Sequence, residues 1–251
     1  MEVLRLDDRA AEPSPRAVGR LLRRDGAAGA VAWRTPEETP LAVLVNGGRF
    51  AVMMATPADL EDFAVGFALS EGIVAEAAAL EGVRIAEAGE GYVVNLRVAP
   101  EAAEAAAHRR RTLAGRTGCG VCGAETIEAA LPAPRRVSGP RPGAEALFRA
   151  LDAFGAAQPM RAENRSVHGA AFCARDGAIL TVREDVGRHN ALDKLAGALA
   201  RAGGDARGGF VVISSRVSVE MVQKAAAMGA PLLCAAGAPT ALALRVAARA
   251  G

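Results

Sequence analysis

The chain has 251 residues, of which 51% are hydrophobic and 23% charged, enough for one large domain or two small ones and too apolar for disorder. Thirty basic residues against 28 acidic ones leave a net charge of +2, which excludes a general nucleic-acid or membrane-surface binder but not a local basic pocket. Only Lys194 and Lys224 among the basic residues are lysine, a bias that reads as genome composition.

Residues 1–27 are polar, Arg-rich and broken by Pro13 and Pro15, which predicts a loose N-terminal arm. The first residues carry acids and no apolar run, so no secretory signal is expected. Leu41 to Val45 and Phe50 to Met54 flank Asn46-Gly47-Gly48, a hairpin signal. Thr56-Pro57 then opens a helix, with Thr56 as its predicted cap, Leu60, Phe63, Ala64 and Phe67 on one face, and Gly72 at its end. A second hairpin is expected from Val83 to Val98 around Gly89-Glu90-Gly91, then a polar helix from Glu101 to Arg111. His108 and the Arg109-Arg110-Arg111 cluster belong to its solvated face.

Gly115 to Gly123 holds four glycines in nine residues and reads as a loop, followed by a short helix over Ala124 to Leu131. Pro132 to Gly143 is the clearest linker. The chain therefore divides into an arm (1–27), an N-terminal subdomain (28–134) and a C-terminal subdomain (144–251). In the last, a helix over 144–155 precedes a hairpin around Arg175-Asp176-Gly177. Helices over 189–202, 217–228 and 239–250 then alternate with strands over 210–214 and 231–235. The pattern predicts an α/β layer with parallel pairing, after an α+β first half built on hairpins. The uncharged stretch between Lys224 and Arg245 is punctuated by Gly229, Pro231, Gly237 and Pro239. It reads as helix end, strand and helix start, not a membrane span, and a cytoplasmic protein is expected.

Four cysteines are present: Cys119, Cys122, Cys173 and Cys234. Cys173 and Cys234 sit in apolar segments as packing residues, and His168 reads as a hydrogen-bonded core residue. Cys119-Gly-Val-Cys122 can share a metal, act as a redox pair, or serve as a sulfur carrier. A zinc site needs four ligands and no second pair exists, while glycine flanks do not suit a thioredoxin-like centre. A carrier cysteine needs an exposed loop and thiolate character, and Arg116 and the following helix start favour both. Two further concentrations point to anion binding. Arg188 and His189 stand at a helix start after Glu184-Asp185-Val186-Gly187, where backbone N–H groups can hold a phosphate. Ser214, Ser215, Arg216 and Ser218 follow an apolar strand, and Ala238-Pro239-Thr240 occupies the equivalent place after the next one.

Four strings closely resemble the formate dehydrogenase accessory sulfurtransferase family, FdhD. They are Met53 to Ile73, Arg116-Thr-Gly-Cys-Gly-Val-Cys-Gly123, Glu184-Asp-Val-Gly-Arg-His-Asn-Ala-Leu-Asp-Lys194 and Ser215-Arg-Val-Ser-Val-Glu-Met-Val-Gln-Lys224. The resemblance implies a sulfur relay. Sulfane sulfur passes from a cysteine desulfurase to the loop cysteine, then to the molybdenum bis(molybdopterin guanine dinucleotide) cofactor destined for formate dehydrogenase. It implies Cys119 as the persulfide carrier and Cys122 as the accessory thiol. The anionic dinucleotide ends fall to Arg188, His189, Ser215, Arg216 and Ser218. It also implies a cytidine-deaminase-like three-layer C-terminal fold, a homodimer and no permanently bound metal. The deaminase zinc arrangement, His-x-Glu followed by Pro-Cys-x-x-Cys, is missing from the sequence. Family members continue past the final helix with a strand and a basic tail that aids cofactor binding. This sequence stops at Gly251: either that tail is absent or the sequence is truncated. Two alternatives from the residues alone are a cofactor-binding chaperone without sulfur chemistry and a structural zinc protein.

Overall fold

The computed structural model describes residues 1–5, 11–113 and 133–251, and of residues 109–113 only the backbone. Eleven strands in three sheets and seven α-helices lie among them.

The first sheet has the order β1-β6-β7-β4-β5, from β1 (Glu2–Arg5), β4 (Thr39–Val45), β5 (Gly48–Ala55), β6 (Leu80–Ala88) and β7 (Gly91–Val98). Both predicted hairpins form. The β4–β5 turn places Asn46 and Gly47 at φ 47° and 81°, the paired positive angles of a tight turn matched to strand twist. Asn46 also grips the end of β7, donating from Nδ2 to the Val98 carbonyl at 2.9 Å and accepting its N–H at 3.0 Å. The N-terminal arm is more ordered than composition suggested. β1 pairs in parallel with β6, and β2 (Arg16–Leu22) and β3 (Ala28–Arg34) form a separate two-stranded ribbon. Of the fourteen residues of β2 and β3 only Val18, Val31 and Trp33 are β-branched or aromatic, so arginine, alanine and glycine mask the strand signal.

Helix α1 (Leu60–Ser70) begins at Asp59, in the left-handed region at φ 51°, rather than at Thr56. Thr56 is fully buried and engaged elsewhere, as described below. Nearly every side of α1 is buried, because the helix is sandwiched between the first sheet and helix α5 (Arg188–Arg201). Phe63 and Phe67 stack at 5.4 Å between ring centroids, and Phe50 meets Phe67 edge-on, all within the first core. The opposite side of α1 carries Gly66, which lies against Gly197 of α5. A methyl group on either glycine would overlap the partner helix's backbone, at the Asp193 or the Asp62 carbonyl. The two helices thus approach at backbone distance. Helix α2 (Pro100–Leu113) follows β7 where a polar helix was expected, with His108 exposed.

Beyond the linker, α3 (Ala144–Phe154) and the short α4 (Pro159–Asn164) precede β8 (His168–Cys173) and β9 (Ile179–Asp185). Then come α5, β10 (Phe210–Ile213), α6 (Val219–Ala227), β11 (Leu233–Ala235) and α7 (Ala241–Ala250). The sheet order is β11-β10-β8-β9. The hairpin expected around Arg175-Asp176-Gly177 forms as antiparallel β8–β9, and the two strands that alternate with helices, β10 and β11, pair in parallel as expected; β8 joins the two parts by running antiparallel to β10. The hairpin that enters this sheet supplies two antiparallel strands before the alternating units begin. One core, with Leu192, Leu195 and Met221, packs α5 and α6 on one face. Another, with Ala150, Phe154 and Cys173, packs α3 on the other. The chain between β10 and the C-terminus confirms the reading of the uncharged stretch as α6 end, β11 and α7 start. Among the described residues no helix is long and apolar enough to cross a membrane.

Candidate functional site

Three helix starts gather at one end of the second sheet. α5 begins after β9, α6 after β10 and α7 after β11, and these three strands run the same way, so the positive ends of three helix dipoles lie beyond their carboxyl ends. The loops that lead into α6 and α7 are stitched together. Val217 pairs with Pro239, the Val217 N–H donates to Ala238 at 3.3 Å, and the Thr240 N–H donates to Val217 at 3.0 Å. Gly237 lies against the Arg216 backbone, where a Cβ would come within 2.8 Å of the Arg216 nitrogen.

Thr240 caps α7, accepting the Ala243 N–H at 3.1 Å. Ser218, in the matching place on α6, does not: its hydroxyl is buried with no hydrogen-bond partner among the described residues. The Arg188 Nε and the His189 Nε2 at the start of α5 are likewise buried and without a partner among the described residues. Buried polar atoms are nearly always paired in a folded protein, so three orphans at neighbouring helix starts are an exception that a ligand would explain. Burial, reinforced by Lys224 and Arg188, pushes the His189 imidazole down to about 4, so it is neutral near pH 7. His168, at the start of β8, is also lowered, by burial and then by Arg188 and Arg161. Its Nδ1 lies 3.3 Å from the Ser214 hydroxyl, which also accepts the Gly169 N–H at 2.9 Å. The cations that depress both imidazoles would favour an anion at this end.

Of the other residues predicted from sequence, Ser215 is buried and donates to the Arg216 carbonyl at 3.0 Å, while the Arg216 side chain is exposed. Cys119 and Cys122 lie outside the described residues, as do the short helix expected after them and the side chains of Arg109, Arg110 and Arg111. Cys173 is buried and its thiol is pushed up to about 12 by desolvation, with Cys234 adding to the shift; the Cys234 thiol is raised by burial as well. Neither has the thiolate character of a carrier.

Sequence reasoning missed the supports beneath the α5 start. The Asp185 carboxylate is fully buried and pairs with Lys194 Nζ at 2.6 Å. It accepts the Thr56 N–H at 3.0 Å, the Gly187 N–H at 2.7 Å and the Asn190 amide at 3.0 Å. Lys194 also donates to the Thr56 carbonyl at 3.0 Å, and the Thr56 hydroxyl accepts the Val186 N–H at 3.1 Å. Asn190 reaches the Met54 carbonyl at 2.8 Å. The whole Gly187-Arg188-His189 turn is therefore clamped to the strand end at Met54 and Thr56 in the first half of the chain. A second knot holds α6: Lys224 Nζ contacts both Asp193 carboxylate oxygens at 2.7 and 2.8 Å, Ser70 Oγ at 2.8 Å and Glu71 at 3.2 Å. Burial opposes charge on Lys224, but Asp193 and Glu71 outweigh it and hold the ammonium protonated. The signal was present: the two lysines of an arginine-rich chain are the two buried cations among the described residues.

An apolar groove of about 590 Å³ runs behind the α6 and α7 starts, lined by Val217, Val222, Leu233, Pro239, Ala243 and others. It abuts the backbone of the stitched loops but does not contain the orphaned polar atoms.

Fold and site together define a mixed α/β protein in which three helix starts, with Arg188, His189 and Ser218 among them, gather at the carboxyl ends of the strands of one sheet. The chain belongs to the FdhD/NarQ family, which residues 36–251 match. It is 47% identical over 242 residues to a sulfur carrier protein FdhD from Agrobacterium fabrum, covering 96% of this chain and 89% of that one. A sulfur carrier protein FdhD from Xanthomonas euvesicatoria is 51% identical over 240 residues, covering 94% and 85%. The fold matches a crystal structure assigned as a formate dehydrogenase accessory protein from Desulfotalea psychrophila, with a TM-score of 0.71 and 23% identity over 96% of this chain and 90% of that one.

Proposed function

We propose that this protein is a sulfurtransferase that carries sulfur for formate dehydrogenase, moving it from a cysteine desulfurase to the molybdenum bis(molybdopterin guanine dinucleotide) cofactor as substrate. The observation that carries the reading is its near 50% identity to sulfur carrier proteins over almost the whole chain, within a family match that spans Cys119 and Cys122. In the first step the Cys119 thiolate attacks the terminal sulfur of the donor's persulfide. A new S–S bond forms on Cys119, the donor's S–S bond breaks, and the donor cysteine leaves as thiolate. In the second step the Cys119 S–S bond would break, Cys119 leaving as thiolate, and the outer sulfane sulfur would pass to the cofactor, which as substrate would supply the two electrons that bring it to sulfide level. Cys122 is the accessory thiol. The site's role is to hold the cofactor's anionic ends: Arg188 and His189 at the α5 start, and Ser215, Arg216 and Ser218 at the α6 start. Support comes from the unpartnered Arg188 Nε, His189 Nε2 and Ser218 Oγ, which suit a phosphate-bearing ligand. No metal enters this mechanism as a resident group, and the setting is cytoplasmic.

The test is intact and peptide mass after exposure to cysteine desulfurase and cysteine, with metal content read from the same sample. One added sulfur on Cys119, absent in Cys119→Ala while the fold persists, is the expected result. No added sulfur together with one zinc per chain, or nucleotide binding with both cysteines dispensable, would replace the reading by a structural zinc site or a cofactor chaperone.

A further inference from the structure

The β2–β3 ribbon is bound only at its root. Arg34 reaches Glu12 at 2.5 Å, the Ser14 carbonyl at 2.6 Å and Glu163 of α4 at 3.7 Å, and the buried Asn164 amide donates to Ser14 Oγ at 3.3 Å. Beyond that anchor the ribbon stands clear of both larger sheets, and residues 18–30 are all exposed. A lone two-stranded ribbon is marginally stable, and among the described residues neither of its outer edges pairs with another strand.

Its composition is not that of an idle loop. Residues 16–34 hold five arginines against one acid, Asp25, so the rest of a chain of net charge +2 is negative overall. Along β2, Arg16, Val18, Arg20 and Leu22 share one face; Arg16 lies opposite Arg34, while Val18, Arg20 and Leu22 lie opposite the small Ala32, Ala30 and Ala28. Beyond the root, Val18, Arg20 and Leu22 therefore stand beside a row of alanines. Val18 is 85% exposed and Leu22 74%. Arg23 and Arg24 extend the basic row around the turn. None of Arg16, Arg20, Arg23 and Arg24 makes an ion pair among the described residues. Arginine alternating with apolar side chains is the composition of a protein interface. A membrane-inserting finger would carry its apolar residues at the tip, where this one carries Arg23, Arg24 and Asp25.

We propose that the β2–β3 ribbon is a docking finger whose arginine-lined face binds a carboxylate-rich surface of a partner protein. The proposal rests on the sulfur-carrier reading only in naming the partners to try. Those are the cysteine desulfurase and the formate dehydrogenase of the same organism. The experiment measures binding of each by the full-length protein over a range of salt, for wild type, for Arg20→Glu/Arg23→Glu/Arg24→Glu and for the matching triple Gln variant. The expected result is wild-type binding to one partner that weakens with salt. The Glu variant should lose about tenfold or more in affinity and the Gln variant less, with the circular dichroism spectrum unchanged. Equal affinity of all three proteins for both partners, or no binding of either by wild type, overturns it. So does loss of self-association in sedimentation as the sole effect of the Glu variant, or loss of binding to phosphatidylglycerol-containing vesicles as the sole effect. Sulfur loading of Cys119 by excess donor, read by mass in the same variants, separates the two readings. Loading that persists with unaltered docking sinks the finger alone, and absent loading in every protein sinks the carrier.

Discussion

His189 is neutral in the fold above a pH of about 4, whereas an unfolded chain would protonate it near 6.5. A depressed folded value means that its contribution is complete above 6.5 and is lost as pH falls from 6.5 through about 4. The shift corresponds to about 3 kcal/mol. Glu184 works the other way. Burial raises its carboxyl despite the N–H donors of Met160 and Arg161, so its protonated form is favoured by folding and stability is lost as pH rises through its folded value. Comparing wild type with His189→Gln isolates the imidazole. In urea titrations at pH 7 and pH 4.5 the wild type should lose the larger share of its stability on acidification; identical losses would mean that His189 is not buried neutral. The same neutral ring, with an open Nε2, can accept or donate a hydrogen bond to a ligand at the α5 start, so the variant should also weaken nucleotide binding at pH 7.

At the scale of elements, the Gly66–Gly197 crossing decides how α1 and α5 pack. Each glycine faces the other helix's carbonyls, so a side chain on either one pushes the helices apart instead of filling a void. Gly66→Ala and Gly197→Ala should each destabilise by about 1–3 kcal/mol or more by overpacking, despite alanine's better helix propensity. A midpoint in guanidinium equal to or above that of wild type would contradict the crossing. The apolar periodicity of α1 was legible from Leu60, Phe63, Ala64 and Phe67. The second buried face, with Val65 and Ala68, was not, because a helix covered on both sides differs from an amphipathic one only in what its neighbours are.

At the scale of the molecule, the two halves are joined through Thr56, Asp185 and Lys194. Lys194→Met leaves Asp185 buried without its cation and should cost about 3–5 kcal/mol, with part recovered in Lys194→Met/Asp185→Asn, as chemical denaturation would show. With α1 wedged between the first sheet and α5, and Lys224 tying Ser70 and Glu71 to Asp193, far- and near-ultraviolet circular dichroism should report one coincident transition. Two separated transitions would mean that the halves fold independently in spite of the clamp.

Local chemistry was enough to read the hairpins at Asn46-Gly47 and Gly89, the chain order of helices and strands after the linker, and the string around Cys119 that ties this chain to its family. Each is set by neighbours a few residues apart: positive φ at a turn, a period of apolar residues, a glycine loop. Tertiary structure alone decided the rest. It paired β1 with β6, set β8 antiparallel to β10, and took Thr56 from a predicted cap into a buried clamp. Asp185, Asn190, Lys194 and Lys224 became supports of the α5 and α6 starts through partners up to 154 residues away. A buried charge is tolerated only where distant groups converge to pair and solvate it, and that convergence is a property of the packed fold rather than of any local stretch of sequence.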